Sequence, residues 1–147
     1  MAGAVVFTAR QVMHTDVLTL DPSMDARTGA RMMADKHRGY AVLVKDGKPV
    51  GIVTEWDFLE KVLAKGRDPG QLTLADIATP QVQSCDAETP TDQVVEAMAS
   101  KGIRRMLVTE KGQVVGVITS KDVIRIFREY VNRLSADIAR LQIPPIW

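Results

Sequence analysis

The sequence predicts an α/β fold made of two copies of one unit, each a β-α-β-β-α segment preceded by a short helix. Three observations predict it. First, Gly47-Lys48-Pro49-Val50-Gly51-Ile52-Val53-Thr54-Glu55-Trp56-Asp57 returns 65 residues later as Gly112-Gln113-Val114-Val115-Gly116-Val117-Ile118-Thr119-Ser120-Lys121-Asp122. The same offset matches Thr8 with Thr73, Val17 with Val82, Asp21 with Asp86 and Met33-Ala34 with Met98-Ala99. A constant period marks a duplicated structural unit. Second, each copy carries a hairpin signal, a glycine turn between β-branched runs. Third, apolar residues recur at helical spacing on either side of each hairpin. Halves this small seldom bury enough surface alone, so they should pack on each other with pseudo-two-fold symmetry and related clefts at the seam.

Taken in order, Thr8 and Thr73 are N-caps of short helices, with Gln11 and Asp76 at the capping-box position. Short strands follow at Val17 to Leu20 and Val82 to Cys85. Asp21-Pro22-Ser23 opens the next helix of the first copy. Thr89-Pro90 opens that of the second, with proline at the favoured first position. These helices carry Ala30 and Met33, and Val94, Val95 and Met98. Around His37 to Val42 the register of the two copies shifts by one residue. The hairpins turn at Asp46-Gly47 and Lys111-Gly112. Their nearly continuous apolar strands indicate sheets covered on both faces. Helices then start at Thr54 and Thr119. The first runs to about Lys65, and Ala64 to Gly70 forms the breaker-rich connector. The second continues through Val123, Ile126, Phe127, Tyr130, Val131, Leu134, Ile138 and Leu141 until Pro144-Pro145 stops it. The expected organisation is therefore a first repeat over 8–66, a second over 73–131, and a long C-terminal helix extension and tail over 132–147. The apolar stripe of that extension either lies on its own repeat or pairs with a second chain, and its length favours the second chain.

Composition excludes several roles. The chain has 147 residues, 46% of them hydrophobic, and a net charge of +1. That balance gives no electrostatic case for nucleic acid. The single Cys85 permits no internal disulfide and reads as an apolar thiol at the strand position of Leu20. The start, Met1 to Phe7, lacks the basic segment of a signal peptide. No stretch is long enough for a membrane span. A cytoplasmic location is the expectation. No nucleophile with a positioned base, P-loop or metal cluster points to an enzyme; His14 and His37 lack the further ligands a metal would need.

The paired Gly-x-x-Thr-x-x-Asp segments, Gly51 to Asp57 and Gly116 to Asp122, resemble those of the CBS domain, named after cystathionine beta-synthase. Gly102-Ile103-Arg104-Arg105-Met106-Leu107-Val108 is similar to a further family segment. The first copy departs from it with His37-Arg38-Gly39-Tyr40. The whole chain resembles a tandem CBS pair, or Bateman module, over roughly residues 8 to 130. The resemblance implies a regulatory, non-catalytic fold that binds adenosine nucleotides or related adenosyl compounds in clefts between the repeats. It also implies pairing of modules into a disc, here a homodimer, and an unknown regulated protein.

By that resemblance, each site joins the Thr-x-x-Asp of one repeat to the adenine pocket of the other. One site would use Ile52, Thr54 and Asp57 with Thr79 to Val82 and Ile103-Arg104. The other would use Val117, Thr119, Lys121 and Asp122 with Thr15, Val17 and His37-Arg38. The residue types suit the chemistry. A helix N-terminus offers free N–H groups and a positive dipole end to phosphate. Asp57 and Asp122 serve as capping-box acids and can also accept from ribose hydroxyls. Arg104 and Arg105 sit where the family places phosphate contacts, and one of the pair is as readily a solvated charge. Lys121 makes the second site the better phosphate binder on charge. Its counterpart Trp56 either stacks on ligand or fills core, with core the favoured reading. The ligand expected is AMP, ADP or ATP. The alternatives are an S-adenosylmethionine-type sensor and an interaction module with vestigial clefts.

Overall fold

The computed structural model describes residues 7–80 and 82–141. The amino-terminal Met1 to Val6, Gln81 and the Pro144-Pro145 stop lie outside them. The elements are α1 (Ala9–Val12), β1 (Thr19–Leu20), α2 (Ala26–Asp35), β2 (Tyr40–Lys45), β3 (Lys48–Thr54), α3 (Glu55–Phe58), α4 (Leu74–Ile77), β4 (Ser84–Asp86), α5 (Thr91–Lys101), β5 (Arg105–Glu110), β6 (Gln113–Thr119) and α6 (Ser120–Ala139). They form two three-stranded sheets, β1-β2-β3 and β4-β5-β6. In each, the short first strand runs parallel to the second, and the second and third form the antiparallel hairpin. The mixed α/β, duplicated architecture is the one expected.

Local chemistry sets the element ends. Asp46 and Gly47, like Lys111 and Gly112, have φ of 52°, 78°, 51° and 78°. Two successive positive φ values make the tight turn whose twist matches the flanking strands. α2 begins later than Asp21-Pro22-Ser23. Its cap is Asp25, whose carboxylate accepts from the Thr28 N–H at 2.9 Å, whereas Asp21 closes a turn on the Ser23 N–H at 2.7 Å. Pro90 caps α5 from outside rather than opening it. β1 and β4 start late because Val17 and Val82 turn into the seam between the sheets.

The expected register shift does not occur. Tyr40 pairs with Thr54 as Arg105 pairs with Thr119, so the 65-residue offset holds through the strands. His37 and Gly102 stand at the same left-handed helix end, with φ of 52° and 62°. The first copy places a histidine where glycine is the default, and that substitution only looks like a slip. Arg38 is thus the counterpart of Ile103, and Tyr40 that of Arg105.

Three apolar clusters hold the fold. The first surrounds Leu20, Met33, Leu43 and Val53, and takes Leu72, Leu74 and Ile77 from the segment around α4. The second surrounds Val94, Met98, Met106, Val108 and Ile118, and takes Ala9 and Val12 from α1. The third is the seam of Val42, Leu107 and Val117, flanked by Val17, Ile52 and Val82. Each repeat therefore has its sheet covered by the short helix that precedes the other repeat. Burying one such aliphatic side chain stabilises by about 1.5–3 kcal/mol. Main-chain bonds fix the exchange: the Ala9 N–H donates to the Thr89 carbonyl and the Leu74 N–H to that of Met24, both at 2.8 Å. Arg10 adds ion pairs to Glu88 and Glu110. Cys85 packs half-buried against the second cluster; burial, then the charge of Asp86, pushes its thiol up, so it stays protonated.

After the hairpins the two copies differ. α3 widens into a single π-type turn over Leu59–Leu63 and ends, while α6 continues. Trp56 is 66% exposed, which corrects the expectation that it fills core. Val123 and Ile126 pack on the second cluster. Phe127, Tyr130, Val131, Leu134, Ile138 and Leu141 stand exposed, so the stripe is not covered by its own repeat. Among the described residues no helix is long and apolar enough to cross a membrane.

Two predictions follow from this packing. A fragment of residues 1–66 lacks Leu72, Leu74 and Ile77 and should show no cooperative melting transition by circular dichroism. A sharp transition would mean the first repeat closes its own core. Gly116→Ala should destabilise more than Gly51→Ala. A Cβ at Gly116 would lie 2.5 Å from Met13 Sδ and 2.8 Å from the His14 carbonyl, whereas at Gly51 the closest atom is the Thr79 carbonyl at 3.1 Å. Overpacking of this kind costs about 1–3 kcal/mol. Urea titrations rank the two variants, and the reverse order would refute the assignment.

Candidate functional site

Two clefts open beside the seam, and backbone bridges build both. After α4 the chain pairs with β3: the Ile52 N–H donates to the Thr79 carbonyl at 3.0 Å and the Thr79 N–H returns to that of Ile52 at 2.9 Å. After α1 it pairs likewise with β6, His14 and Val117 exchanging both bonds at 3.0 Å. Thr79 and His14 are counterparts under the 65-residue offset. Each sits at the edge of the sheet it joins and overhangs a cleft.

The first cleft, a cavity of about 320 Å³, is lined by Ile52, Thr79, Gln83, Ile103, Arg104 and Arg105. Of the expected set, Ile52, Thr79, Ile103 and Arg104 stand on this lining, and Arg105 joins them. The structure does not bring Thr54, Asp57 or Val82 to the lining. Asp57 is buried and its carboxylate is fully engaged. Oδ2 accepts from the Thr54 N–H at 2.8 Å and from the Thr54 hydroxyl at 3.2 Å, and Oδ1 accepts from Lys61 Nζ at 2.9 Å. Lys61 also donates to the Ile77 carbonyl at 2.7 Å. In this arrangement Asp57 is a capping acid paired with a lysine, outside the cavity lining. Val82 packs in the seam.

The second cleft, about 390 Å³, is lined by His14, Arg38, Tyr40, Arg104, Arg105, Thr119, Ser120 and Lys121. Four permanent cations face it, and no acidic side chain lines it among the described residues. Of the expected set, Thr119, Lys121 and Arg38 are present. Val117 is fully buried in the seam, and Val17 lies beside it. Thr15 and His37 are exposed and outside the lining. Arg38 is anchored to Asp16, through its carbonyl at 3.1 Å and its carboxylate. Arg104 and Arg105 border both clefts, so the two cavities share one basic wall. Arg105 lies over the Tyr40 ring at 4.5 Å. That cation–π contact holds its guanidinium at the cleft.

Asp122 stands behind this lining. Its Oδ2 accepts from the Thr119 N–H at 2.8 Å, the Thr119 hydroxyl at 2.9 Å and His14 Nδ1 at 2.9 Å. Burial alone would push its carboxyl up. The bonds from the Thr119 backbone, the Thr119 hydroxyl and His14 outweigh that and hold it below its ordinary value. Asp122 is thus ionised and reaches the cleft only through His14, whose Nε2 lies 3.3 Å from the Tyr40 hydroxyl. His14, Tyr40, Gln83 and Ser120 are lining residues that sequence reasoning missed. The 65-residue offset from Thr79 to His14, and from Arg105 to Tyr40, was the signal that could have found two of them.

The fold is shared with known proteins. The family model for the CBS domain matches twice, over residues 9–64 and 74–129. An uncharacterized protein of Methanopyrus kandleri is 28% identical over 134 residues, covering 90% of this chain and 68% of that protein. A homoserine O-acetyltransferase of Methanohalobium evestigatum is 31% identical over 121 residues, 81% of this chain, but the match spans only 24% of the enzyme. Among solved structures, the CBS domain pair of protein MJ0100, in complex with 5′-methylthioadenosine and S-adenosyl-L-methionine, superposes with a TM-score of 0.72. It is 25% identical, with 85% of this chain and 98% of that one covered. With two matched copies spanning most of its length, the chain belongs to the CBS domain family.

Proposed function

We propose that the chain is a regulatory binding module whose clefts take adenosine nucleotides, AMP, ADP or ATP, and that it acts by binding rather than catalysis. The observation that carries this reading is the second cleft. Arg38, Arg104, Arg105 and Lys121 converge there beside the N-terminus of α6. A basic wall at a helix N-terminus suits a phosphate chain, and arginine forks add bidentate contacts. Ile52 and Ile103 give the first cleft flat apolar walls for a base. A relative binding S-adenosylmethionine and methylthioadenosine supports the adenosyl part of the ligand. The first cleft, with Ile52 and Ile103 on its walls and fewer cations than the second, favours, as second reading, an adenosyl compound without a phosphate chain at that position.

The partner proposed on the protein side is a second copy. Ile124, Phe127, Val131, Leu134 and Ile138 along α6, and Leu141 just past its end, alternate at spacings of three and four, and all are exposed. β-branched residues alternating with leucine in this way form the seam of a two-stranded coiled coil. On the first repeat Trp56, Leu59 and Leu63 are likewise exposed. Ligand binding would then bias the arrangement of repeats or subunits that a regulated protein reads.

Thermal shift with AMP, ADP, ATP and S-adenosylmethionine tests the ligand. A compound at 100 times its dissociation constant should stabilise by about 2.7 kcal/mol. No shift with any of them would favour an interaction module with vestigial clefts. Light scattering should show a dimer at micromolar concentration and a weaker one after truncation behind Tyr130. A monomeric full-length chain would sink the dimer.

A further inference from the structure

The two capping acids are neutralised differently, and the difference sits at a cleft. Asp57 in the first copy is paired with Lys61, a permanent cation on its own helix. Asp122 in the second copy is paired with His14, which comes from the segment after α1 and lines the second cleft. The residue matching His14 at the first cleft is Thr79, which cannot take a proton. Among the described lining residues, the second cleft therefore carries an imidazole where the first carries a hydroxyl.

We propose that His14 is a ligand-sensing specificity residue of the second cleft, taking up a proton when a phosphate chain binds and turning the Tyr40 hydroxyl into a phosphate donor. This rests on the nucleotide reading above. In the neutral state His14 Nδ1–H donates to Asp122 and bare Nε2 accepts from the Tyr40 hydroxyl. That hydroxyl proton is then committed, and Tyr40 turns only lone pairs to the cleft, which repel an anion. With His14 protonated, Nε2–H donates to the Tyr40 oxygen. The phenolic proton is released to rotate toward the cleft and can donate to a phosphate oxygen. No bond between heavy atoms forms or breaks; the Nε2–H bond forms as a hydronium ion or buffer acid gives up its proton, and the conjugate base stays in solvent.

The charges around the relay act in known directions. Asp122, itself 3.8 Å from Arg125, favours the protonated imidazole. Arg104, with Lys121 on α6 and Arg105 on β5 stacked over Tyr40, opposes it, and Arg38 does so less because the Asp16 carboxylate pairs with it. An anion that neutralises those four side chains removes the opposition and leaves Asp122 to draw the proton in. Binding and proton uptake are therefore coupled, and by reciprocity acidification tightens binding.

Calorimetric titration of the full chain with ATP and with tripolyphosphate tests this, in two buffers of different ionisation enthalpy at pH 7. Wild type should take up more protons per ligand than His14→Gln. The ligand's own titration is common to both and cancels. The affinity ratio of wild type to His14→Gln should rise from pH 8 to pH 6 by up to about tenfold per unit. Tyr40→Phe keeps the ring under Arg105 and should lose about ten- to hundredfold in affinity at pH 6, as removal of a bond to a charged group does. Imidazole NMR on wild type gives a readout that needs no variant to fold. The chain has two histidines, His14 and His37, and the one close to the Tyr40 ring should become protonated on ligand addition. ATP binding with equal proton counts, or with that imidazole neutral in the complex, would overturn the role of His14 and leave the nucleotide reading standing. Failure of wild type to bind either probe at pH 6 would overturn both.

Discussion

Everything at the seam depends on two pairs of backbone hydrogen bonds, Ile52 with Thr79 and His14 with Val117. Each pair adds one residue of foreign chain to the open edge of a sheet. The residue arrives there because the short helix before it is buried in the same repeat, α4 through Leu74 and Ile77, α1 through Ala9 and Val12. Polar main chain at a buried sheet edge is costly unless paired, so the exchange also satisfies groups that would otherwise be orphaned. The close approach this demands explains why Gly51 and Gly116 stand opposite the bridging segments. Neither repeat is complete without the other, and a force that separates them must open both cores.

That constraint also places the chemistry. The bridges carry Thr79 and His14 over the clefts, and the shared seam brings Arg104 and Arg105 between them. The N-terminal ends of α3 and α6 reach the same seam because each follows directly from the hairpin strand at its centre. The pseudo-symmetry is a frame on which unequal side chains are mounted. Trp56 is set against Lys121, Thr79 against His14, Tyr40 against Arg105 and Gly39 against Arg104. The exchange of residues adds Arg38 and Lys121 to the shared arginines at the second cleft, whereas the first sets Ile52 and Ile103 beside them. Unequal sites in one molecule can respond to different ligands, or to one ligand and its protonation state.

The repeated Thr-x-x-Asp pair illustrates how one motif divides its duties. The carboxylates are short-range structural groups first, closing Thr54 and Thr119 as capping boxes. What neutralises each acid then decides whether it communicates with a cleft. Lys61 keeps Asp57 inside the first repeat, whereas His14 carries the charge of Asp122 to the surface of the second cleft.

The sequence by itself determined the duplication, the hairpins, the capping boxes and the α/β class. These rest on local rules, a constant period, glycine turns and i to i+3 side-chain bonds, which need no knowledge of distant residues. That Arg104, Arg105, Thr119 and Lys121 belong at the clefts was an implication of the resemblance to the CBS family and not of any local rule. Only the tertiary structure decided that the short helices cross over, that Trp56 faces solvent, and that His37 matches Gly102 without a register shift. Only it showed that His14 takes the place beside Asp122 that Lys61 takes beside Asp57. These outcomes turn on contacts between residues far apart in the chain, where several pairings satisfy the same local pattern and packing selects one.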